Sequence, residues 1–377
     1  MNEIPFNKPF IAGKELYNIS QAVLSGHLAG NGPFSNKCRE FLESRFRYRR
    51  VFMTHSGTGA LEMAALLCRI QPGDEVVLPS YTFVSTANAF LLHGATLKFV
   101  DIRPDTLNLD EGKVEAEMSD KTKVICPVHY AGVGCEMEKL GFLSQKHDTL
   151  IIEDAAHAVN ARFQDRFLGT FGGLAALSFH ETKNYISGEG GALIVNDESM
   201  IERAEILWEK GTNRSKFFQG QVDKYTWVDI GSSFYPSELV SAFLFGQFEE
   251  TETIMKKRMD LWDYYRDRLQ DFEKRGKVRL PVIPAHCRHN AHMFYLLLNS
   301  EKERNDLLAR FREKNIHAVF HYIPLHTSPM GRAMGYAEGD LPVSEDVSRR
   351  ILRLPLFFEL DRPGQDRVVE VIEEFFG

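Results

Sequence analysis

Two kinds of hydrophobic pattern alternate along the N-terminal half of the chain. Short, nearly unbroken apolar runs occur at Val51-Phe52-Met53, Val76-Val77-Leu78, 96–100, 124–128, Leu150-Ile151-Ile152, a run ending at Phe179, and 192–195. Between them lie stretches with apolar residues three or four apart, such as Leu61, Ala64, Ala65 and Cys68. The first kind predicts strands buried on both faces; the second predicts helices packed against them. Together they predict an α/β fold whose large, mostly parallel sheet is covered by helices on both sides.

Residues 1–50 predict an irregular arm and one helix near 36–45. A polar, aromatic stretch over 209–227 has no clear period and predicts a functional or neighbour-contacting loop. Residues 237–274 predict one long helix, with Leu239, Phe243, Ile254, Trp262, Tyr265 and Leu269 on its apolar stripe. Strands over 293–298 and 318–323, with helices over 301–312 and 363–376, then predict a smaller α/β unit. The expected division is a large domain, residues 1–245, and a small C-terminal domain, residues 246–377, with the long helix bridging them.

Composition narrows the picture. The 377 residues can bury a large core. A formal charge of −7 leaves no basic field to collect a nucleic acid, so none is expected as partner. Cys38, Cys68, Cys126, Cys135 and Cys287 are odd in number and form no Cys-x-x-Cys pair, which fits a reduced, cytoplasmic chain. Pro5, Pro9 and charged residues interrupt residues 1–16, so no signal peptide is expected. No apolar run reaches the length of a membrane span.

Candidate chemistry gathers at strand ends, where ligands collect in such sheets. Phe83, His129, Asp154 and Ser178 each fall at or just past the end of an apolar run. Lys183 stands in a polar loop between two buried strands, ahead of Gly188-Glu189-Gly190-Gly191. Burial lowers an amine's pKa and suits it to Schiff-base chemistry. Asp154 either caps a helix or meets a cationic partner, and Phe83 either joins the core or stacks on a flat ligand. Ser56-Gly57-Thr58-Gly59 opens a helix, which caps it or offers N–H groups to a phosphate. Gly57-x-Gly59-x-x-Glu62 lacks the last glycine of a dinucleotide fingerprint. His321, Tyr322 and His326 follow a predicted strand, and either contact substrate or satisfy hydrogen bonds at a domain seam. His286-Cys287-x-His289-x-x-His292 has no common zinc spacing, and no metal is expected.

Three runs are more specific: Pro79-Ser80-Tyr81-Thr82-Phe83-Val84-Ser85-Thr86-Ala87-Asn88, Pro127-Val128-His129-Tyr130-Ala131-Gly132, and His180-Glu181-Thr182-Lys183-Asn184-Tyr185 with its Gly-Glu-Gly-Gly. Further runs are Lys210-Gly211-Thr212-Asn213-Arg214-Ser215, Val222-Asp223-Lys224-Tyr225-Thr226-Trp227, Asn290-Ala291-His292-Met293-Phe294-Tyr295 and Phe320-His321-Tyr322-Ile323-Pro324-Leu325-His326. With these, the chain resembles over nearly its whole length the DegT/DnrJ/EryC1/StrS family of nucleotide-sugar aminotransferases. Its members are pyridoxal 5′-phosphate (PLP) enzymes of fold type I. The later runs point to a subgroup that aminates a dTDP-linked 4-keto-6-deoxy sugar.

The resemblance implies that Lys183 holds PLP covalently and shuttles the proton. It implies that Asp154 pairs with the ring nitrogen, that Phe83 stacks on the ring, and that His157 lies at its edge. Gly57, Thr58 and Ser178 are implied as phosphate holders. Ser233 lies in a segment where many relatives carry an asparagine that reaches the phosphate in the partner subunit, and a serine hydroxyl can still donate there. L-glutamate as amino donor, a dTDP-linked keto sugar as acceptor and a homodimer with shared active sites follow from the same resemblance. Family dehydratases carry histidine in place of the lysine, so Lys183 implies transamination. The alternatives are a sister enzyme acting on another nucleotide-linked 4-keto or 3-keto sugar, a non-catalytic regulatory protein on the same fold, and a nicotinamide oxidoreductase, against which the incomplete fingerprint argues.

Overall fold

A computed structural model describes residues 2–377. Seven strands form the central sheet, in the spatial order Val51–Thr54, Gly191–Val195, Leu174–Ser178, Leu150–Asp154, Thr122–Ile125, Glu75–Pro79, Thr96–Val100. Gly191–Val195 runs against both its neighbours, and the other six share one direction. Successive side chains alternate between two cores. Val51, Met53, Val77, Ile125, Ile151 and Ile194 enter one, and Phe52, Val76, Leu78, Val124, Ile152 and Leu193 enter the other. Burial on both faces is why these segments are apolar throughout.

A second sheet, Val278–Arg279, Phe294–Leu298 and Ile351–Leu354, is antiparallel. Helices Thr251–Lys274, Glu301–Glu313 and Arg362–Phe376 share a core with it that includes Tyr265, Leu269, Phe294, Phe311, Leu352 and Ile372. Ile4 joins this core and pairs with Ile316, so the N-terminal arm is strapped to the C-terminal part of the chain.

Three expected elements come out differently. The single helix over 237–274 is two, Glu238–Glu249 and Thr251–Lys274, broken at Glu250 with φ −104° and ψ 20°. There Thr251 Oγ1 donates to the Phe248 carbonyl at 2.7 Å and so competes with the helical ladder, while Thr253 Oγ1 donates to the Glu250 carboxylate at 3.0 Å. Residues 318–323 form no strand. Val319 alone exchanges backbone bonds with Arg353, and the chain then turns His321 and Tyr322 inward ahead of Pro324. The arm contains a helix, Glu15–Leu24, before the expected one, which extends over Pro33–Phe46.

Candidate active site

The six strands of common direction end at one edge of the sheet, and a cavity of about 740 Å³ opens there. Its size is that of a small-molecule site. Gly57, Thr58, Phe83, Asp154, His157, Ser178, Lys183, His321 and Tyr322 all line it.

The floor is a turn and two glycines. Ser56 caps helix Gly57–Leu67, its Oγ accepting from the Gly59 N–H at 3.0 Å. A Cβ on Gly191 would fall 2.4 Å from the Ser56 carbonyl carbon, and one on Gly57 would lie 2.9 Å from Ser178 Cβ. Only glycines let strand Gly191–Val195, Ser178 and the helix start close up this far. The result is a cradle of helix N-terminal N–H groups flanked by the Thr58 and Ser178 hydroxyls, suited to a phosphate. Thr58 Oγ1 is held by Ser85 Oγ at 2.7 Å.

Beside the cradle, Asp154 is the last residue of its strand and is buried. Thr86 Oγ1 donates to its Oδ2 at 2.7 Å and the Ala156 N–H to its Oδ1 at 3.1 Å. Thr86 lies in helix Val84–Leu91, whose N-cap residue is Phe83, so one helix places both the ring and the support of the carboxylate. Glu153, one residue earlier, points to the opposite face. There it accepts from the N–H groups of Gly169, Phe171 and Gly172 at 2.7–2.8 Å and pairs with His129 Nε2 at 2.9 Å. That pairing turns His129 away from the cavity.

The Lys183 loop is clamped at its neighbour. Asn184 is buried, its Nδ2 donating to the Asn290 carbonyl at 2.7 Å and its Oδ1 lying 2.9 Å from His292 Nδ1. The half-buried lysine has its pKa pulled by burial from 10.5 to about 8, with Asp154 drawing it back up and Arg353 pressing it down. PLP uptake by the apoprotein should therefore quicken as pH rises and level off above about 8, because only the unprotonated amine attacks a carbonyl. Stopped-flow absorbance across that range checks this; a rate independent of pH would remove the assigned shift.

Histidines and tyrosines form the roof. His157 stacks on His292 at 4.1 Å, and His321 stacks on Tyr322 at 3.6 Å. The Tyr130 hydroxyl lies 2.6 Å from His321 Nδ1. Burial first, then neighbouring positive groups, hold His157, His292 and His321 well below the usual imidazole range, so they are neutral. His157 Nδ1 is buried and without a partner among the described residues, an orphan that fits a polar substituent on a bound ring.

Two residues singled out from the sequence lie elsewhere. His326 is fully buried, its nitrogens taken by Ser80 Oγ at 2.7 Å and Glu345 Oε1 at 3.0 Å, which makes it a seam residue outside the cavity. Ser233 is exposed and bridges to Glu209, also outside the cavity of its own chain. The histidines of 286–292 diverge: His286 pairs with Glu136, His289 packs on Trp262, and His292 enters the cavity. Among the described residues no group of three or more His, Cys, Asp or Glu is placed to hold a metal. Sequence reasoning passed over Thr86, His292, Arg353 and the arm residues Phe6 and Asn7, all of which line the cavity.

Sheet, lysine loop and cradle define the class: a PLP-dependent aminotransferase of fold type I. The sequence model of the DegT/DnrJ/EryC1/StrS aminotransferase family matches residues 10–373, and the chain belongs to that family. It is similar to the spore coat polysaccharide biosynthesis protein SpsC of Bacillus subtilis, with 29% identity over 98% of this chain and 96% of that protein. Among solved structures it is similar to S. venezuelae DesV in complex with a ketimine intermediate, with TM-score 0.90, 27% identity, and 100% and 99% of the two chains covered. The PLP-form of the putative sugar aminotransferase Spr1654 from Streptococcus pneumoniae also matches, with TM-score 0.90, 23% identity, and 99% and 100% covered. Bound in this cradle, PLP supplies an electron sink for the carbon that exchanges the amine. No helix among the described residues is long and apolar enough to cross a membrane.

Proposed function

We propose that the enzyme moves the amino group of L-glutamate to C4 of dTDP-4-keto-6-deoxy-D-glucose, giving dTDP-4-amino-4,6-dideoxy-D-galactose and 2-oxoglutarate. This is the reaction of the dTDP-4-amino-4,6-dideoxygalactose transaminase of enterobacterial common antigen synthesis, which makes a sugar for lipopolysaccharide-type surface polymers. The observation that carries the reading is the composition of one cavity wall. Two of the four runs that point to that subgroup, 290–295 and 320–326, supply His292, Met293, Phe320, His321 and Tyr322 to it. Their apolar surfaces suit the methyl group of a 6-deoxy sugar, and their neutral polar tips suit its hydroxyls.

In this reading Lys183 carries the cofactor and moves the proton, and Asp154 holds the proton on the ring nitrogen. Phe83 packs on the ring, His157 meets its edge, and Gly57, Thr58 and Ser178 hold the phosphate. His321 and Tyr322 contact the sugar. The reading includes a homodimer. Helix Glu15–Leu24 buries Glu15, Asn18 and Ala22 against its own chain and exposes Leu16, Tyr17, Val23 and Leu24. Phe218, Trp227 and Ile230 are exposed as well, and apolar surface of this extent suits a second copy. Ser233 would then serve the partner's site. Five buried, unpaired cysteines support a reducing, cytoplasmic setting.

An absorbance scan tests the reading. The PLP-loaded enzyme should lose its visible band on addition of L-glutamate and regain it with dTDP-4-keto-6-deoxyglucose. Recovery with a different nucleotide-linked keto sugar, and none with this one, would replace the substrate.

A further inference from the structure

We infer that His292 reads the hydroxyl beside the reacting carbonyl of the keto sugar, through a lone pair on Nε2, a role that rests on the 4-keto-6-deoxy sugar reading above. His292 lies two residues ahead of strand Phe294–Leu298, and its surroundings hold it still. Arg258, buried on helix Thr251–Lys274, donates to the carbonyls of Ala291 and His292 at 3.2 and 2.8 Å. Asn290 Nδ2 donates to the carbonyls of His157 and Val159 at 2.8 and 2.9 Å. The His292 ring stacks on that of His157, with 4.1 Å between centroids and 18° between planes.

Hydrogen bonding leaves the ring one tautomer. The Asn290 carbonyl can only accept, so Asn184 gives it Nδ2 at 2.7 Å and turns Oδ1 to His292 Nδ1 at 2.9 Å. An amide oxygen also only accepts, so Nδ1 carries the hydrogen. Burial first, then His157 and the nearby cations, keeps the ring neutral. A neutral imidazole protonated on Nδ1 has its lone pair on Nε2. Nε2 meets no hydrogen-bond partner among the described residues, and unlike His157 Nδ1 it is not sealed from solvent. His292 lines the cavity, so the lone pair opens into it.

Place and chemistry together select the ligand group. Asn184 directly follows Lys183 in the chain, so one hydrogen bond and one residue tie His292 to the reacting lysine. Whatever stands there must bring a hydrogen to the lone pair. Carboxylates and phosphates bring only lone pairs of their own. An amino-acid donor has its N–H groups on the nitrogen that goes to the lysine. A 4-keto-6-deoxy sugar differs: C3, beside the reacting C4, carries an O–H, and C5 on the other side carries the methyl group. The 3-hydroxyl is the group that fits Nε2, and Met293 and Phe320 in the same wall suit the methyl side.

The test crosses His292→Asn in the protein with removal of the 3-hydroxyl from dTDP-4-keto-6-deoxyglucose. Asparagine keeps an N–H near the place of Nδ1, so Asn184 retains its partner, and only Nε2 is lost. The readout is kcat/KM of the keto-sugar half-reaction, followed by return of the visible band. Wild type should lose about 10-fold with the 3-deoxy sugar, and His292→Asn about 10-fold with the natural one. The two losses should not add, because both remove the same hydrogen bond. Equilibrium dialysis should find PLP bound to the variant close to the wild-type level, which shows the lysine loop in place. Losses that multiply to about 100-fold in the doubly changed pair would overturn the assignment. So would a wild type indifferent to the 3-hydroxyl. An equal loss in the glutamate half-reaction would overturn it too, leaving His292 as a support of the lysine loop. The wild type alone judges the underlying reading: if it reacts with neither sugar, the substrate falls and takes this role with it, whereas failure of the His292 assignment leaves wild type active on the natural sugar.

Discussion

Lys183→Ala should abolish the visible absorbance of bound PLP and cut transamination by roughly 10⁴-fold or more, the scale expected when a sole covalent nucleophile is removed. Among the described residues no other lysine lines the cavity to take over the attachment. The fold should survive. The Lys183 N–H donates to the His180 carbonyl through the backbone, and the loop is held at Asn184 rather than by the lysine side chain. Removing an amine whose charged form is disfavoured by burial should cost little stability. The phosphate cradle is intact in the variant, so PLP should still bind without the covalent link. Equilibrium dialysis of PLP, set beside absorbance and turnover, separates the two effects. Normal turnover in this variant would discard the central assignment.

Most of the frame that presents Lys183 was legible in the chain, because burial on both faces leaves a plain mark. Val76-Val77-Leu78 and Leu150-Ile151-Ile152 can hardly be anything but inner strands. The reversed direction of Gly191–Val195 was not legible, since a strand buried on both faces looks alike whichever way it runs. The first helix was hidden for a different reason. Its apolar residues Leu16, Tyr17 and Leu24 face outward, and the residues it buries include Glu15, whose carboxylate accepts from the Ala12 and Gly13 N–H groups. A pattern that faces away from its own core misleads any reading that assumes apolar positions point inward. Arg353 left no mark either. In Ile351-Leu352-Arg353-Leu354 it reads as the solvent-facing position of a strand, and only the packing of the second sheet against the cavity shows otherwise. His326 failed in the opposite sense: a histidine beside a proline in a promising loop found both its partners, Ser80 and Glu345, inside the seam.

Asp154→Ala should leave PLP attached to Lys183 yet lower the rate by on the order of 10³-fold, the loss typical of removing one preorganised charge from the reacting centre. The carboxylate ends a central strand and is fixed by Thr86 Oγ1 and the Ala156 N–H, so it meets its partner without reorganising. A buried carboxylate held this way needs a cation, and the protonated ring nitrogen is the cation the chemistry calls for. On the proposed roles, removing Asp154 would take away the group that holds that proton, while Gly57, Thr58, Ser178 and Lys183 would still hold the cofactor. A second readout follows from the same geometry. Asp154 draws the Lys183 pKa upward, against burial and Arg353, so removing it should move the midpoint of PLP uptake below about 8. A variant that keeps its rate but shifts this midpoint would show that Asp154 acts on the lysine and not on the ring. A variant changed in neither would leave the carboxylate as a strand-end cap bonded to Thr86 and Ala156, with no part in the reaction.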